Sequence, residues 1–128
     1  MNTLVYDASA LLAVVFDEPG AKAVLEHLAI PGGEVSAVNW SEVGAKLTER
    51  GLPEADLPSE LAAFGLDIIP FNETQAHLAA GLRPKTHKLG LSLGDRCCLA
   101  LARLHDARVI TADKAWQQLS EFDVIAVR

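Results

Sequence analysis

Four carboxylates stand at the ends of short apolar runs. Asp7 follows Thr3-Leu-Val-Tyr6, Glu42 follows Glu34-Val-Ser-Ala-Val38, Asp95 closes Ser92-Leu-Gly-Asp95, and Asp113 follows Arg108-Val-Ile-Thr111. Read as parallel strands, those runs put at least three of the acids where a strand hands over to a helix. That edge is where open α/β sheets bind ligands. Carboxylates gathered in one place repel each other, and a cation is what holds them together. A set of hard oxygen ligands suits Mg²⁺ or Mn²⁺, metals that commonly serve phosphoryl chemistry.

Each acid taken singly has a structural explanation. Asp113 can cap a helix starting at Lys114, and Asp7 can satisfy amides of a first helix. Asp95 is the fourth residue of Ser92-Leu-Gly-Asp95, and Glu42 the fourth of Asn39-Trp-Ser-Glu42, both with capping-box spacing. Caps alone would scatter over both edges of a domain. These four belong to helix starts on one edge, so the convergence carries the functional reading. Helix N-termini also lend partial positive charge that steadies such a cluster.

The elements that must position them follow from apolar periodicity. Thr3 to Tyr6 reads as a strand and Ser9 to Phe16 as the helix behind it. A second helix spans Ala21 to Leu28, and Pro31-Gly-Gly33 is a turn. Glu34 to Ala37 is a strand, with a helix from Asn39 to Glu49 stopped by Arg50-Gly51. Leu52-Pro53 opens a helix through Ala63, Leu66 to Ile69 is a strand that buries Asp67, and Asn72 caps a helix to Leu82. A polar, basic loop runs from Arg83 to Gly90, then Leu93 to His105 forms the most apolar and central helix. Arg108 to Thr111 is a strand, Asp113 to Leu119 a short helix, and Val124 to Val127 a last strand. The alternation predicts an α/β fold, a short, mainly parallel sheet between two helical layers.

Composition narrows the classes. A chain of 128 residues, half of them apolar, is expected to form one domain, 1–128, with a continuous core. The net charge of −6 argues against a general nucleic-acid coat protein while permitting a local basic strip. No run reaches the ~20 apolar residues of a membrane span. The start has no basic n-region, so no signal peptide is expected. The two cysteines, Cys97 and Cys98, are adjacent in a helical pattern and read as small buried hydrophobes in a reducing, cytoplasmic setting.

Four segments now taken together resemble a known family. Val5-Tyr-Asp-Ala-Ser-Ala-Leu-Leu12, Ser36-Ala-Val-Asn-Trp-Ser-Glu-Val43, Gly90-Leu-Ser-Leu-Gly-Asp-Arg-Cys-Cys-Leu-Ala-Leu101 and Thr111-Ala-Asp-Lys-Ala-Trp116 look like the successive motifs of PIN-domain proteins. They are especially similar to the VapC-type toxins of bacterial toxin–antitoxin systems. The resemblance implies a three-layer PIN-like fold and a Mg²⁺- or Mn²⁺-dependent endoribonuclease. It also implies a homodimer held inactive by a cognate antitoxin protein. Carried over residue by residue, it makes Asp7, Glu42, Asp95 and Asp113 the catalytic and metal-binding quartet, with Ser9 and Thr111 as polar neighbours. Where some relatives carry a further acid after the fourth, this chain has Trp116.

On that reading Asp7 and Asp95 hold the metal, Glu42 and Asp113 complete its shell through waters, and RNA phosphodiesters are hydrolysed in line. The dense basic stretch Arg83-Pro-Lys-Thr-His-Lys88 offers Arg83, Lys85 and Lys88 as RNA contacts, or is simply a solvated loop. A carboxylate pocket attracts guanidinium, so the antitoxin is expected to offer it an Arg. Trp40 and Trp116 read as packing residues. His27, His77, His87 and His105 lack zinc-ligand spacing, and no phosphate-binding glycine motif occurs. The competing readings are a catalytically inert binding module and a phosphoryl-accepting receiver. The receiver wants paired acids after its first strand, where only Asp7 stands. A haloacid-dehalogenase phosphatase wants D-x-D, which Asp7-Ala-Ser9 denies.

Overall fold

The alternation of side chains along the two central strands builds the layers. Residues 3–128 are described by a computed structural model; the reading of the start at Met1 and Asn2 lies outside the described residues. In β1 (Leu4–Tyr6), Leu4 and Tyr6 face one core while Val5 faces another. In β4 (Arg108–Thr111), Val109 joins the Val5 side and Ile110 the Tyr6 side. A strand buried on both faces needs a helical layer on each.

Strands β2 (Glu34–Ser36), β3 (Asp67–Ile69) and β5 (Val124–Ala126) complete a five-stranded sheet of order β3-β2-β1-β4-β5. Every pairing among the described residues is parallel, with Val5 opposite Glu34 on one side and Val109 on the other. The chain therefore steps outward from β1 in one direction, then returns to β1's other flank at β4. This reversal opens a crevice beyond the carboxyl ends of β1 and β4. Helices α1 (Ala8–Val15), α2 (Ala21–Leu28), α3 (Ala37–Glu49) and α4 (Leu57–Phe64) surround the core of Tyr6, Val35 and Ile110. The other core, around Val5 and Val109, takes Leu82 at the end of α5 (Glu73–Gly81) and Cys98, Leu99, Leu101 and Ala102 of α7 (Leu93–Leu104). Trp116 is fully buried there, and Trp40 meets Phe64 edge-on, so both tryptophans are packing residues. No helix among the described residues is long and apolar enough to cross a membrane.

The sequence expectations hold for fold class and element order, with five corrections. Arg83 to Gly90 is helical, forming α6 (Arg83–Thr86) and a 3-10 turn (His87–Leu89). Pro84 sits in the first turn, where its missing N–H costs nothing. The Thr86 hydroxyl donates to the Leu82 carbonyl at 2.9 Å, and Gly90, at φ +72°, ends the turn. Next, α3 begins at Ala37, capped by the Ser36 hydroxyl accepting from Val38 N, so Glu42 lies inside the helix and outside any capping box. Asp67 is exposed because β3 is the sheet's edge strand. Finally, the segment after Asp113 is a 3-10 helix, Lys114–Gln118, and a 3-10 turn (Glu54–Asp56) precedes α4.

Candidate active site

Asp7 is the hub. It follows β1 as the N-cap of α1 and its backbone N–H donates to the Ile110 carbonyl of β4. The residue is 2% exposed, and its carboxylate is densely hydrogen-bonded. Oδ1 accepts from Ala10 N at 2.8 Å and Oδ2 from the Thr111 hydroxyl at 2.6 Å. Ser9 Oγ lies 2.8 Å from both oxygens, and its single proton serves one at a time. Ser9 also accepts from Ala112 N at 3.0 Å, and Thr111 accepts from Asp113 N at 3.1 Å. The ends of β1 and β4 are thus laced into one network around a single carboxylate. Burial pushes the Asp7 pKa up to about 6, opposed by its Thr111, Ala10 and Ser9 donors and assisted by the charge of Asp95.

Asp95 is half-buried in the first turn of α7. Its capping box is reciprocal, with Ser92 N donating to Oδ2 at 2.9 Å and Asp95 N to the Ser92 hydroxyl at 3.2 Å. Burial raises its pKa against the pull of the Ser92 bonds, and the charge of Asp113 adds to the rise. Asp113 is exposed beyond β4 and accepts from Ala115 N at 3.0 Å. Glu42 comes from α3 and packs against Gly94 of α7, so closely that a Cβ at Gly94 would collide with its carboxylate.

The field of the cluster converges on Cys98, one turn beyond Asp95. Its thiol pKa is raised well above the ordinary value, first by burial and then by the charges of Asp7, Asp95 and Glu42. Asp7, Asp95 and Glu42 therefore share one electrostatic neighbourhood, which Asp113 joins through Asp95. It is not a closed cage: among the described residues no three His, Cys, Asp or Glu side chains converge tightly enough to hold a metal ion as they stand. Each carboxylate is tied to its own donors, Asp7 to Ala10, Ser9 and Thr111, Asp95 to Ser92, Glu42 to Asn39 and Asp113 to Ala115. The donor set still fits a hard divalent cation. It is all oxygen, burial raises the pKa of Asp7 and Asp95 with a smaller push from a neighbouring carboxylate, and Asp7 stands at the carboxyl ends of the central strands.

Asn39 escaped the sequence reading. Fully buried on α3, it donates from Nδ2 to Glu42 Oε1 and to the Gly94 carbonyl, each at 2.9 Å. Two acceptors fix the amide orientation, since the flipped amide would face oxygen with oxygen. The signal was an amide three residues before a candidate acid inside a helix. The proposed RNA contacts fare unequally. Arg83, Lys85 and Lys88 are all exposed, but Lys85 pairs with Glu121 at 2.8 Å, and Glu121 is shared with Arg103.

Residues 4–121 match the sequence profile of the PIN domain. The VapC ribonuclease Mb2780c of Mycobacterium bovis is 31% identical over 109 residues, covering 79% of this chain and 83% of that protein. Ribonuclease VapC42 of Mycobacterium tuberculosis matches to the same extent, 31% over 79% of this chain and 83% of its own. Among solved structures, a toxin–antitoxin complex from Klebsiella pneumoniae superposes with a TM-score of 0.77 at 23% identity, covering 98% of each chain. DNA-bound VapBC from Salmonella typhimurium gives 0.76 at 13% identity over 100% of each chain. The profile match and the 31% identity to two ribonucleases, laid over a parallel sheet with Asp7 at its crevice, establish that the chain belongs to the PIN-domain family, in its VapC ribonuclease group.

Proposed function

We propose that this chain is the ribonuclease toxin of a toxin–antitoxin pair, hydrolysing RNA phosphodiester bonds with the help of Mg²⁺ or Mn²⁺. The observation that carries the reading is the Asp7 hub. Asp7 is buried at the ends of β1 and β4 with its pKa raised to about 6, beside a second raised carboxyl at Asp95, and a cation bound there would favour the charged form of both.

In this reading Asp7 and Asp95 would hold the metal, with Glu42 and Asp113 beside it. Bound there, Mg²⁺ or Mn²⁺ supplies a more acidic water and neutralises charge on the scissile phosphate. Ser9 and Thr111 fix the Asp7 carboxylate by donating hydroxyl hydrogens, so its orientation is set before substrate arrives. Asn39 fixes Glu42 in the same way. An exposed carboxylate such as Asp113 is free to orient an attacking water.

The antitoxin partner has a surface that suits it. Leu25, 53% exposed, lies in a groove of about 430 Å³ between α1, α2 and α4, with Val14, Leu28 and Phe64 in its walls. An amphipathic segment laid there would bury apolar area, and an Arg extended from it would compete with the metal for the acids. We also propose a homodimer, in line with the family.

The test is direct. Asp7→Asn should abolish Mg²⁺-dependent cleavage of RNA while circular dichroism stays unchanged. Wild-type cleavage rates in that variant would remove the site assignment. Absence of any Mn²⁺ binding in calorimetric titration would favour an inert binding module instead.

A further inference from the structure

Beside the acids runs a feature of opposite charge. Glu42, Lys46 and Arg50 follow one another at intervals of four along α3 and its end, so they share one stripe of surface. The stripe carries cations one and two turns beyond the acid, about 12 Å along the axis. Facing it, Phe16 at the end of α1 and Arg128 help enclose a cleft of about 330 Å³. The head of the cleft is formed by Ser9 and Ala112, and Ser9 is the residue bonded to Asp7. The cleft therefore begins where the acidic site ends.

Three cations line this cleft against one carboxylate, Glu18, in a chain of net charge −6. Two have carboxylate neighbours: Lys46 meets Glu49 at 3.8 Å and Arg128 meets Glu18 at 3.3 Å. Both pairs are solvent-exposed, so they exchange readily for a better anion. Arg50 has no such neighbour among the described residues. Its guanidinium lies 4.3 Å from the centroid of the Phe16 ring and makes no side-chain hydrogen bond among the described residues. The ring holds the guanidinium plane while its N–H fork is left uncommitted, an arrangement suited to phosphate oxygens.

We propose that this cleft is the track for the phosphates of the RNA strand as it leaves the acidic site. Arg50 is the principal contact and Lys46 and Arg128 flank it. The inference rests on the ribonuclease reading and adds the strand's path to it. A scissile phosphate at the acids is covalently continuous with further phosphates, whose charge must be met within the next steps along the strand. This cleft touches Ser9 and supplies three cations. The assignment also differs from the sequence expectation, which placed the RNA contacts on Arg83, Lys85 and Lys88.

The experiment uses the Asp95→Asn protein in Mg²⁺, so that RNA is bound and not cut. The probe is a fluorescein-labelled, mixed-sequence single-stranded RNA of about 12 nucleotides, read by anisotropy across a salt series. Arg50→Ala should weaken binding roughly tenfold, the order set by one charge-assisted hydrogen bond. It should also lower the slope of log K against log salt by about 0.7 to 1. Arg50→Gln, which keeps the bulk over Phe16, should show the same loss. Arg108→Ala, at the opposite end of the strands, should change nothing. Equal affinity for Arg50→Ala and its parent would overturn the track and leave the ribonuclease reading standing. An Arg50→Ala protein that binds RNA normally but loses affinity for its antitoxin would overturn it too, assigning the cleft to a protein partner. Failure of the parent to bind RNA at all would bring down the ribonuclease reading, and the track with it.

Discussion

The Thr111 hydroxyl donates to Asp7 at 2.6 Å, joining residues 104 positions apart in the chain. This bond fastens the end of β4 to the end of β1 at the point where their following segments diverge. It also lowers the Asp7 pKa against the desolvation that raises it.

Thr111→Val keeps the shape and removes the donor. A buried acceptor left short of a partner costs about 1 to 3 kcal/mol, so the urea midpoint should fall accordingly. Cleavage should drop at least tenfold at pH 7, because less of Asp7 is ionised and its carboxylate is less firmly oriented. Wild-type stability and activity together in this variant would show that the bond carries neither role.

The crowded carboxylates should make the fold responsive to metal. Mn²⁺ at a hundred times its dissociation constant should stabilise the wild-type protein by about 2.7 kcal/mol through mass action. Asp95→Asn should lose most of that gain, and its metal-free form should melt higher than the metal-free wild type. An equal Mn²⁺-induced shift in both proteins would place the metal elsewhere.

The metal-free protein should also be more stable in mild acid. Asp7 holds its proton up to about pH 6 in the fold, against ~3.9 in an unfolded chain. Between those values the folded state binds more protons, so stability falls as pH rises and the loss is nearly complete by pH 7. In EDTA, the change from pH 5 to pH 7 should cost on the order of 1 kcal/mol through this group, a few degrees in melting temperature. Asp7→Asn should remove that component, and an identical pH dependence in wild type and variant would contradict it.

Gly94 offers a probe that touches no acid. Alanine is favoured over glycine inside helices by roughly 0.5 to 1 kcal/mol, yet its Cβ would occupy the space of the Glu42 carboxylate. Gly94→Ala should therefore lower cleavage by an order of magnitude or more while changing stability by less than about 1 kcal/mol. Full activity would show that Glu42 can move without consequence.

The positions of Asp7, Asp95 and Asp113 at helix starts were legible because capping has local sequence signals: Asp7 and Asp113 cap the segments that follow β1 and β4, and Asp95 closes the Ser92 capping box of α7. Ser9 and Thr111 were legible from their closeness in sequence to those acids. Glu42 was found for a wrong local reason, since the Ser36 cap shifts its helix two residues earlier and leaves Asn39 to hold it. The partner of Asn39 is Gly94, 55 residues away, and no local pattern announces that pairing. Lys85 looked free as part of a basic run because its partner, Glu121, lies 36 residues downstream. Likewise, Lys46 and Arg50 form a readable stripe with Glu42, but the Phe16 ring and Arg128 that turn it into a cleft arrive only with the fold. Residues 83–90 looked like a loop because a short helix built on Pro84 and Thr86 is held by packing more than by propensity.

The sheet order also sets a schedule for synthesis. β1 leaves the ribosome first, but its neighbour β4 is made near the end, so Asp7 cannot acquire Thr111 or its Ile110 backbone contact until residue 111 has emerged. Until then the first acid lies on a strand flanked on one side only, in a chain whose closing contacts are among its longest-range. An enzyme that would cut RNA is thus built beside RNA without a competent centre for most of its translation. A product ending before β4 would carry Asp7, Glu42 and Asp95 but lack the Thr111 hydroxyl and the Ile110 carbonyl that fix Asp7.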